Sequence, residues 1–252
     1  MSLLVADAVT KHFSGLTALD QVSLSVEPGE IVGLIGPNGA GKTTLFNCLY
    51  GVLAPDRGQV TFAGQDVSSL PVHRRARLGM GRTFQRIELF AGMTVRDHLL
   101  VAERARRADG GLLKDLLGRS APSGDERARA AATLDLLGLE DVADRPIESL
   151  SLGRGRLVEL GRALMIEPTL LLLDEPSSGL DHRETDEMAE VLAAVRAERG
   201  TAILLVEHDV AMVRKVTSRL YVLDFGQLIA QGATADVIAD TAVRQAYLGD
   251  TV

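Results

Sequence analysis

Gly36-Pro37-Asn38-Gly39-Ala40-Gly41-Lys42-Thr43 constrains what this chain can fold into more than any other stretch. It reads glycine, four residues, glycine, lysine, threonine. Before it, Ile31-Val32-Gly33-Leu34-Ile35 is continuously apolar, as a strand buried in a parallel sheet is. After it, Thr43 to Leu53 has helical character, closed by Pro55 and the turn Asp56-Arg57-Gly58. Strand, glycine-rich loop and helix in that order make a phosphate cradle. Glycines let the backbone curl until several N–H groups face one anion. The unpaired N–H groups and the positive end of the following helix favour the same charge. Lys42 would meet the β- and γ-phosphates of a nucleotide, and the hydroxyl of Thr43, next to Thr44, would help to hold Mg2+.

A second segment complements the first. Leu170-Leu171-Leu172-Leu173 ends in Asp174-Glu175. A buried strand ending in two carboxylates delivers them to the carboxyl edge of a sheet, where α/β proteins bind ligands. There Asp174 would hold Mg2+ and Glu175 would polarise an attacking water as a general base. On its own, an apolar run followed by Asp-Glu is weak evidence, being more often a strand followed by a solvated turn, and it gains its value from the company of the phosphate loop.

The rest of the chain fits an α/β protein with an insertion. Ser23 to Val26 alternates polar and apolar as a half-buried strand does, before the turn Glu27-Pro28-Gly29-Glu30. Ala202 to Val206 and Leu220 to Leu223 read as buried strands, with a helix from about Arg183 to Arg199 before the former. The end of the chain is expected to hold a turn at Phe225-Gly226 and a last short helix. Between Val95 and Leu139 helix formers dominate and β-branched residues are scarce, with a loop at Ser120 to Gly124. The expected division is an α/β, nucleotide-binding core over residues 1–94 and 140–252 and a helical lobe over 95–139. Within Glu103 to Arg129, seven basic and five acidic residues are mixed, as on solvated helix faces.

Composition excludes several classes. With 27 basic and 34 acidic residues, the net charge of −7 does not suit general nucleic-acid binding, and no nucleic-acid partner is expected. The single cysteine, Cys48, allows no internal disulfide and fits a reducing compartment. No secretion signal is read near Met1, and no apolar run approaches the ~20 residues of a spanning helix. A membrane role would have to come through a partner.

The phosphate loop, Gln85, Leu150-Ser151-Leu152-Gly153, Asp174-Glu175, Ser178-Gly179-Leu180-Asp181 and His208 occur in the order found in ABC-type ATPases. The resemblance extends from about Leu4 to Gly249. It implies a P-loop ATPase fold: a parallel-sheet core, an antiparallel β portion near the N-terminus and an inserted helical lobe. It also implies ATP and Mg2+ as ligands. Phe13 stands where an aromatic side chain stacks on adenine, although a core aromatic would read the same. Gln85 matches the glutamine that reaches Mg2+ and the attacking water at the hinge to the lobe. His208 matches the histidine on the γ-phosphate, and Asp181 ends the loop that crosses to the partner subunit. His12, His73, His98 and His182 match no family position.

Leu150-Ser151-Leu152-Gly153-Arg154 departs from the family's Leu-Ser-Gly-Gly-Gln at two positions. Ser151 and Gly153, which resemble the residues touching the γ-phosphate of the opposite subunit, are retained. Leu152 and Arg154 are expected to point away from nucleotide. A site completed by another subunit's helix implies a head-to-tail pair, either two copies of this chain or this chain with a relative.

Arg82-Thr83-Phe84-Gln85, Leu89-Phe90, Met93-Thr94-Val95, Val206-Glu207-His208-Asp209 and Ala246-Tyr247-Leu248-Gly249-Asp250 resemble the ATPases of branched-chain amino acid importers. The resemblance implies transmembrane permease partners, a substrate-binding protein acting indirectly, and a peripheral place on the cytoplasmic side of the membrane. Lipopolysaccharide-export ATPases are the transport alternative, though they usually lack the Arg-Thr-Phe before the glutamine. Soluble ABC ATPases are the other, but this chain has one phosphate loop and no sustained heptads. In relatives the region of Arg86 to Phe90 receives a short helix of the membrane subunit; Leu89 and Phe90 filling the core between the lobes is the plain alternative.

Overall fold

The computed structural model describes residues 1–83, 89–107 and 122–244. Two sheets organise them. The first is antiparallel and has the order β2-β1-β4-β5, with β1 at Leu4–Phe13, β2 at Leu16–Val26, β4 at Arg57–Phe62 and β5 at Gln65–Asp66. Strand β2 starts well before the alternating stretch Ser23 to Val26. The β1–β2 register shifts along its length, and Ala8 and Gln21 take positive φ of 47° and 50°. Such irregularities interrupt a period of two and conceal the strand from pattern reading.

The second sheet has the order β10-β9-β3-β8-β7-β6. Its strands are β3 (Ile31–Ile35), β6 (Met80–Arg82), β7 (Leu170–Asp174), β8 (Ala202–Val206), β9 (Arg219–Asp224) and β10 (Gln227–Ala233). Every pair is parallel except the β9–β10 hairpin. All residues of β3, β7 and β8 are buried, which accounts for their unbroken apolar runs. Strand β10, which the sequence did not reveal, alternates exposed with half-buried positions and contributes little to the core. The expected turn at Phe225-Gly226 joins it to β9.

Helix α1 (Lys42–Tyr50) leaves the carboxyl end of β3 and stops before Leu53. Gly51, at φ 86°, ends it and donates its N–H to the Asn47 carbonyl at 3.0 Å. The fully buried Arg75, in α2 (Val72–Arg77), donates to the Cys48 and Leu49 carbonyls at 2.8 and 2.6 Å. A guanidinium there satisfies carbonyls at the helix end and complements its negative pole.

Five further helices are α3 (Val95–Arg107), α4 (Gly124–Leu136), α5 (Leu152–Leu164), α6 (His182–Arg199) and α7 (Val210–Val216). The expected last short helix is α8 (Thr234–Ala239), followed by the single turn α9 (Thr241–Val243). Ser123, in the expected loop, caps α4 in a reciprocal box with Glu126. Helix α5 packs against both α3 and α4 at Gly161, where a Cβ would stand 2.8 Å from side-chain atoms of both Leu99 and Leu137.

Helix α1 and the two sheets enclose one core, which includes Leu4, Val22, Phe46, Leu49, Phe62 and Tyr221. On the other face, Leu99 of α3 and Leu134 of α4, in the inserted stretch, and Leu160 of α5 join Leu171, Leu173 and Ile203 of the sheet in one continuous cluster. Each such large apolar side chain stabilises the fold by roughly 1.5–3 kcal/mol. The inserted helices therefore share a core with the sheet. No helix among the described residues is long and apolar enough to cross a membrane.

Candidate functional site

The loop after β3 sits between the carboxyl ends of β9 and β8, in the crevice where open α/β sheets bind ligands. Helix α1 starts there with no side-chain cap and no acidic residue in its first turn. Ser123, Ser151, Asp181 and Asp209 do cap α4, α5, α6 and α7. The amino end of α1 thus keeps its positive pole and its first N–H groups for an anion. Gly41 makes the turn at φ 105°, where a Cβ would lie 2.6 Å from the Ala18 carbonyl oxygen. Only glycine fits that backbone and that approach.

Lys42 reaches back over the loop. Its ammonium donates to the carbonyls of Gly36 at 2.6 Å and Pro37 at 3.0 Å, which holds the charge at the centre of the cradle. Burial pulls its pKa below the ordinary lysine value, while the nearby Glu175 and Asp174 oppose that shift. A cleft of about 440 Å3 opens over the loop. The loop residues 38–44 line it, together with Glu175 and Phe13. Phe13 is 41% exposed, so it is not a core aromatic.

Asp174 and Glu175 lie at the carboxyl end of β7, as their sequence context predicts. Asp174 is buried, and its carboxylate pairs with the buried Arg82 guanidinium at 3.1 Å. Burial pushes the Asp174 pKa above the usual carboxylate value; Arg82 and Lys42 oppose the push and Glu175 adds to it. Glu175 takes a left-handed backbone at φ 50° and donates its N–H to the Val206 carbonyl at 2.9 Å. That conformation costs a non-glycine residue about 1 kcal/mol and is held here by the neighbouring strand.

Among the described residues, no three His, Cys, Asp or Glu gather into a metal cage. A threonine hydroxyl and one strand-end carboxylate are nevertheless what Mg2+ requires, because it completes its shell with phosphate oxygens and water. The donor set therefore fits Mg2+ bound together with a nucleotide.

Ser151, Gly153 and Asp181 do not line the phosphate-loop cleft. They border a second cleft of about 740 Å3, with Arg154, Glu184 and Met188. Ser151 caps α5 by accepting the Arg154 N–H at 3.3 Å. Glu184 bridges this helix start and the turn before α6, accepting from the Gly153 N–H at 3.3 Å and the Asp181 N–H at 3.4 Å. A Cβ on Gly153 would stand 2.8 Å from the Glu184 carboxyl carbon, so a larger residue there would have to displace that carboxylate. Leu152 is 44% exposed, and the Arg154 guanidinium pairs with Asp141 at 2.8 Å.

His208 follows β8 with an exposed side chain and does not line the phosphate-loop cleft. Gln85 and the segment Phe84 to Glu88 lie outside the described residues, as does the tail Ala246 to Asp250. The pair at the lobe hinge separates: Leu89 packs against the core, while Phe90 is 53% exposed, stacked on His98 with ring centroids 5.9 Å apart. His98 is buried, and its Nε2 accepts the Phe90 N–H at 2.9 Å.

Three further residues at the site escaped sequence reading. Phe225, 88% exposed on the β9–β10 turn, lines the phosphate-loop cleft with Phe13. The Gly226 N–H beside it donates to the Ala40 carbonyl at 2.9 Å and fixes the turn to the loop. An aromatic residue at a turn is the signal that could have marked it. Arg82 and Glu207 are charged residues beside buried strands, and a charge in that position signals a partner.

The residues 19–178 match the family model described as ABC transporter. The chain belongs to the ABC transporter family. This cassette is 41% identical over 98% of both chains to the high-affinity branched-chain amino acid transport ATP-binding protein LivG of Salmonella typhimurium. It is 34% identical to the lipopolysaccharide export system ATP-binding protein LptB of Haemophilus influenzae, over 99% of this chain and 98% of that one. Among solved structures, the ADP conformation of an ATP-binding cassette of an ABC transporter superposes with a TM-score of 0.88 at 32% identity, covering 99% and 100% of the two chains. A dimeric post-hydrolysis cassette bound to ADP and Pi matches with a TM-score of 0.75 at 25% identity, over 92% and 98%. The cassette is an ATP-binding, ATP-hydrolysing subunit with the P-loop ATPase fold.

Proposed function

We propose that this cassette energises the import of branched-chain amino acids through a separate membrane permease, working as one half of a head-to-tail pair. The observation that carries the substrate is the 41% identity to LivG along nearly the full chain, against 34% to LptB. What supports the pair is the separation of its clefts. The phosphate loop and Glu175 border one cleft, and Ser151, Gly153 and Asp181 border another. A single chain cannot bring both sets onto one phosphate, whereas a second cassette facing the first can.

In this reading Phe13 stacks on the adenine, and the loop from Gly36 to Thr44 wraps the phosphates with Lys42 at its centre. Thr43, Asp174 and Gln85 would hold Mg2+, which would supply positive charge to the transferring phosphoryl group. Glu175 takes a proton from the attacking water, and His208 steadies the γ-phosphate. Ser151 and Gly153 of the facing cassette complete the site. Closure of the pair moves the surface around Phe90, an exposed ring with the Arg162 guanidinium 5.5 Å from its centroid, where the permease docks. The cassette then sits peripherally on the cytoplasmic side of the membrane.

The test is uptake of leucine, isoleucine and valine by vesicles holding the permease, the binding protein and this cassette. Wild-type protein should drive ATP-dependent uptake. Phe90→Asp should abolish uptake while the isolated cassette keeps its ATPase activity. Absence of uptake of all three amino acids by the wild type would overturn the substrate, and normal uptake by Phe90→Asp would overturn the docking surface.

A further inference from the structure

Glu207 is a carboxylate with no exposed surface, at the carboxyl end of β8. An ionised carboxylate survives burial only when donors replace its water. Here the donors are backbone N–H groups: Ser177 at 2.8 Å to Oε1, and His208 at 3.0 Å and Asp209 at 3.4 Å to Oε2. The two oxygens thus hold different segments. Oε1 holds the turn that runs from Glu175 toward Asp181, and Oε2 holds the turn that carries His208 into α7. The main chain ties the same strand ends once more, through the Glu175 N–H on the Val206 carbonyl at 2.9 Å. The imidazole Nδ1 of His208 lies 3.7 Å from Oε2, too far for a hydrogen bond, so the carboxylate fixes the backbone rather than the ring.

We propose that Glu207 is the positioning residue of the hydrolytic step, a buried bridge that keeps Glu175, assigned as general base, and His208, assigned to the γ-phosphate, in one fixed relation. The proposal rests on the roles given above to those two residues. Charge-assisted bonds to N–H groups are stronger than neutral ones and are directional. A bridge of this kind acts on turnover, because ground-state nucleotide binding belongs to the phosphate loop and Phe13, which Glu207 does not touch. It also couples the segments: whatever shifts the turn before Asp181, including a facing cassette, shifts His208 with it.

Glu207→Gln tests this in the full-length protein with least disturbance, since the amide keeps the shape but one arm can no longer accept. Turnover of MgATP should fall roughly 10- to 100-fold, the loss expected when reacting groups are displaced by about an ångström. KM and the Kd for ADP should stay within about threefold, a change of ~0.6 kcal/mol. Hydrogen exchange should quicken together in the peptides covering 175–181 and 207–212 and stay unchanged over 36–45. Glu207→Asp, which keeps the charge but shortens the reach, should also lose turnover. Wild-type turnover in Glu207→Gln, full rescue by Asp, an equal loss of ADP affinity, or faster exchange at 207–212 alone would each overturn the bridge. A wild-type chain that hydrolyses no ATP would instead count against the assigned roles, and the exchange pattern would still decide the bridge.

Discussion

Arg82→Met removes the cation from the most enclosed ion pair at the site. The Arg82 and Asp174 side chains are 4% and 6% exposed, with 3.1 Å between Nη2 and Oδ2. The same guanidinium donates to Asn47 Oδ1 at 2.7 Å and lies 5.8 Å from the ring centroids of both Phe46 and Tyr50. It therefore ties β6 to both α1 and β7. An exposed ion pair would be worth at most about 1 kcal/mol. Enclosure decides otherwise, because methionine fills much of the space yet leaves Asp174 buried without its cation. Breaking a buried pair in this way costs about 3–5 kcal/mol. For a chain of this size the midpoint of thermal unfolding should drop by roughly 6 to 20 °C. Equilibrium urea unfolding of the purified protein, followed by far-UV circular dichroism, measures the free energy directly. ADP with Mg2+ should recover part of the loss, and ADP with a chelator should recover less. A destabilisation below about 1 kcal/mol would show that the pair behaves as a solvated one and would refute the reasoning.

Leu152→Gly should leave turnover within about threefold of wild type, since the side chain is 44% exposed and a glycine in the first helical turn costs at most about 1 kcal/mol; a large rise in ATPase rate would show that the leucine acts as a brake. Phe13→Ala should weaken ADP binding by about tenfold and Phe225→Ala by a few-fold, the range of one aromatic stacking contact, with tripolyphosphate binding unchanged. Equal losses for ADP and tripolyphosphate, measured by calorimetry, would refute contact with the base. Burial pushes the Cys48 thiol up to about 11, so at pH 8 only roughly one molecule in a thousand carries the thiolate. Thiol reagents should therefore label the folded protein only as fast as it opens, and nucleotide should slow the labelling further; rapid labelling of the folded protein at pH 8 would contradict the burial of Cys48 in α1.

The phosphate loop and the two strand-end carboxylates were legible because each is a local pattern. A glycine-rich turn after a buried strand and before a helix has few other uses, and the acid pair at a strand end gains its meaning from following such a loop in the same chain. Strands β3, β7 and β8 were legible for a related reason: burial on both faces writes an unbroken apolar run. Strand β10 was not, because it alternates exposed with half-buried positions at the sheet's edge. Most of β2 was hidden by its register shifts against β1. The residues missed at the site depend on contacts across long stretches of chain. Arg82 meets Asp174 across 92 positions and Glu207 meets Ser177 across 30. Phe225 reaches the phosphate-loop cleft only because β9 pairs with β3. The helical lobe was visible as a change in composition, but the core it shares with the sheet depends on packing, which composition does not encode.

Glu175→Gln tests the central claim, that ATP is hydrolysed by a base at the carboxyl end of β7 in a site shared between two cassettes. The glutamine keeps the shape and hydrogen-bonding capacity of the side chain and loses only the base. Size-exclusion chromatography in MgATP, with the eluted nucleotide identified, reads both halves of the claim at once. The account predicts no turnover, intact ATP in the peak and a dimer that persists because its ATP is not consumed. A monomer that hydrolyses ATP at near the wild-type rate would contradict it.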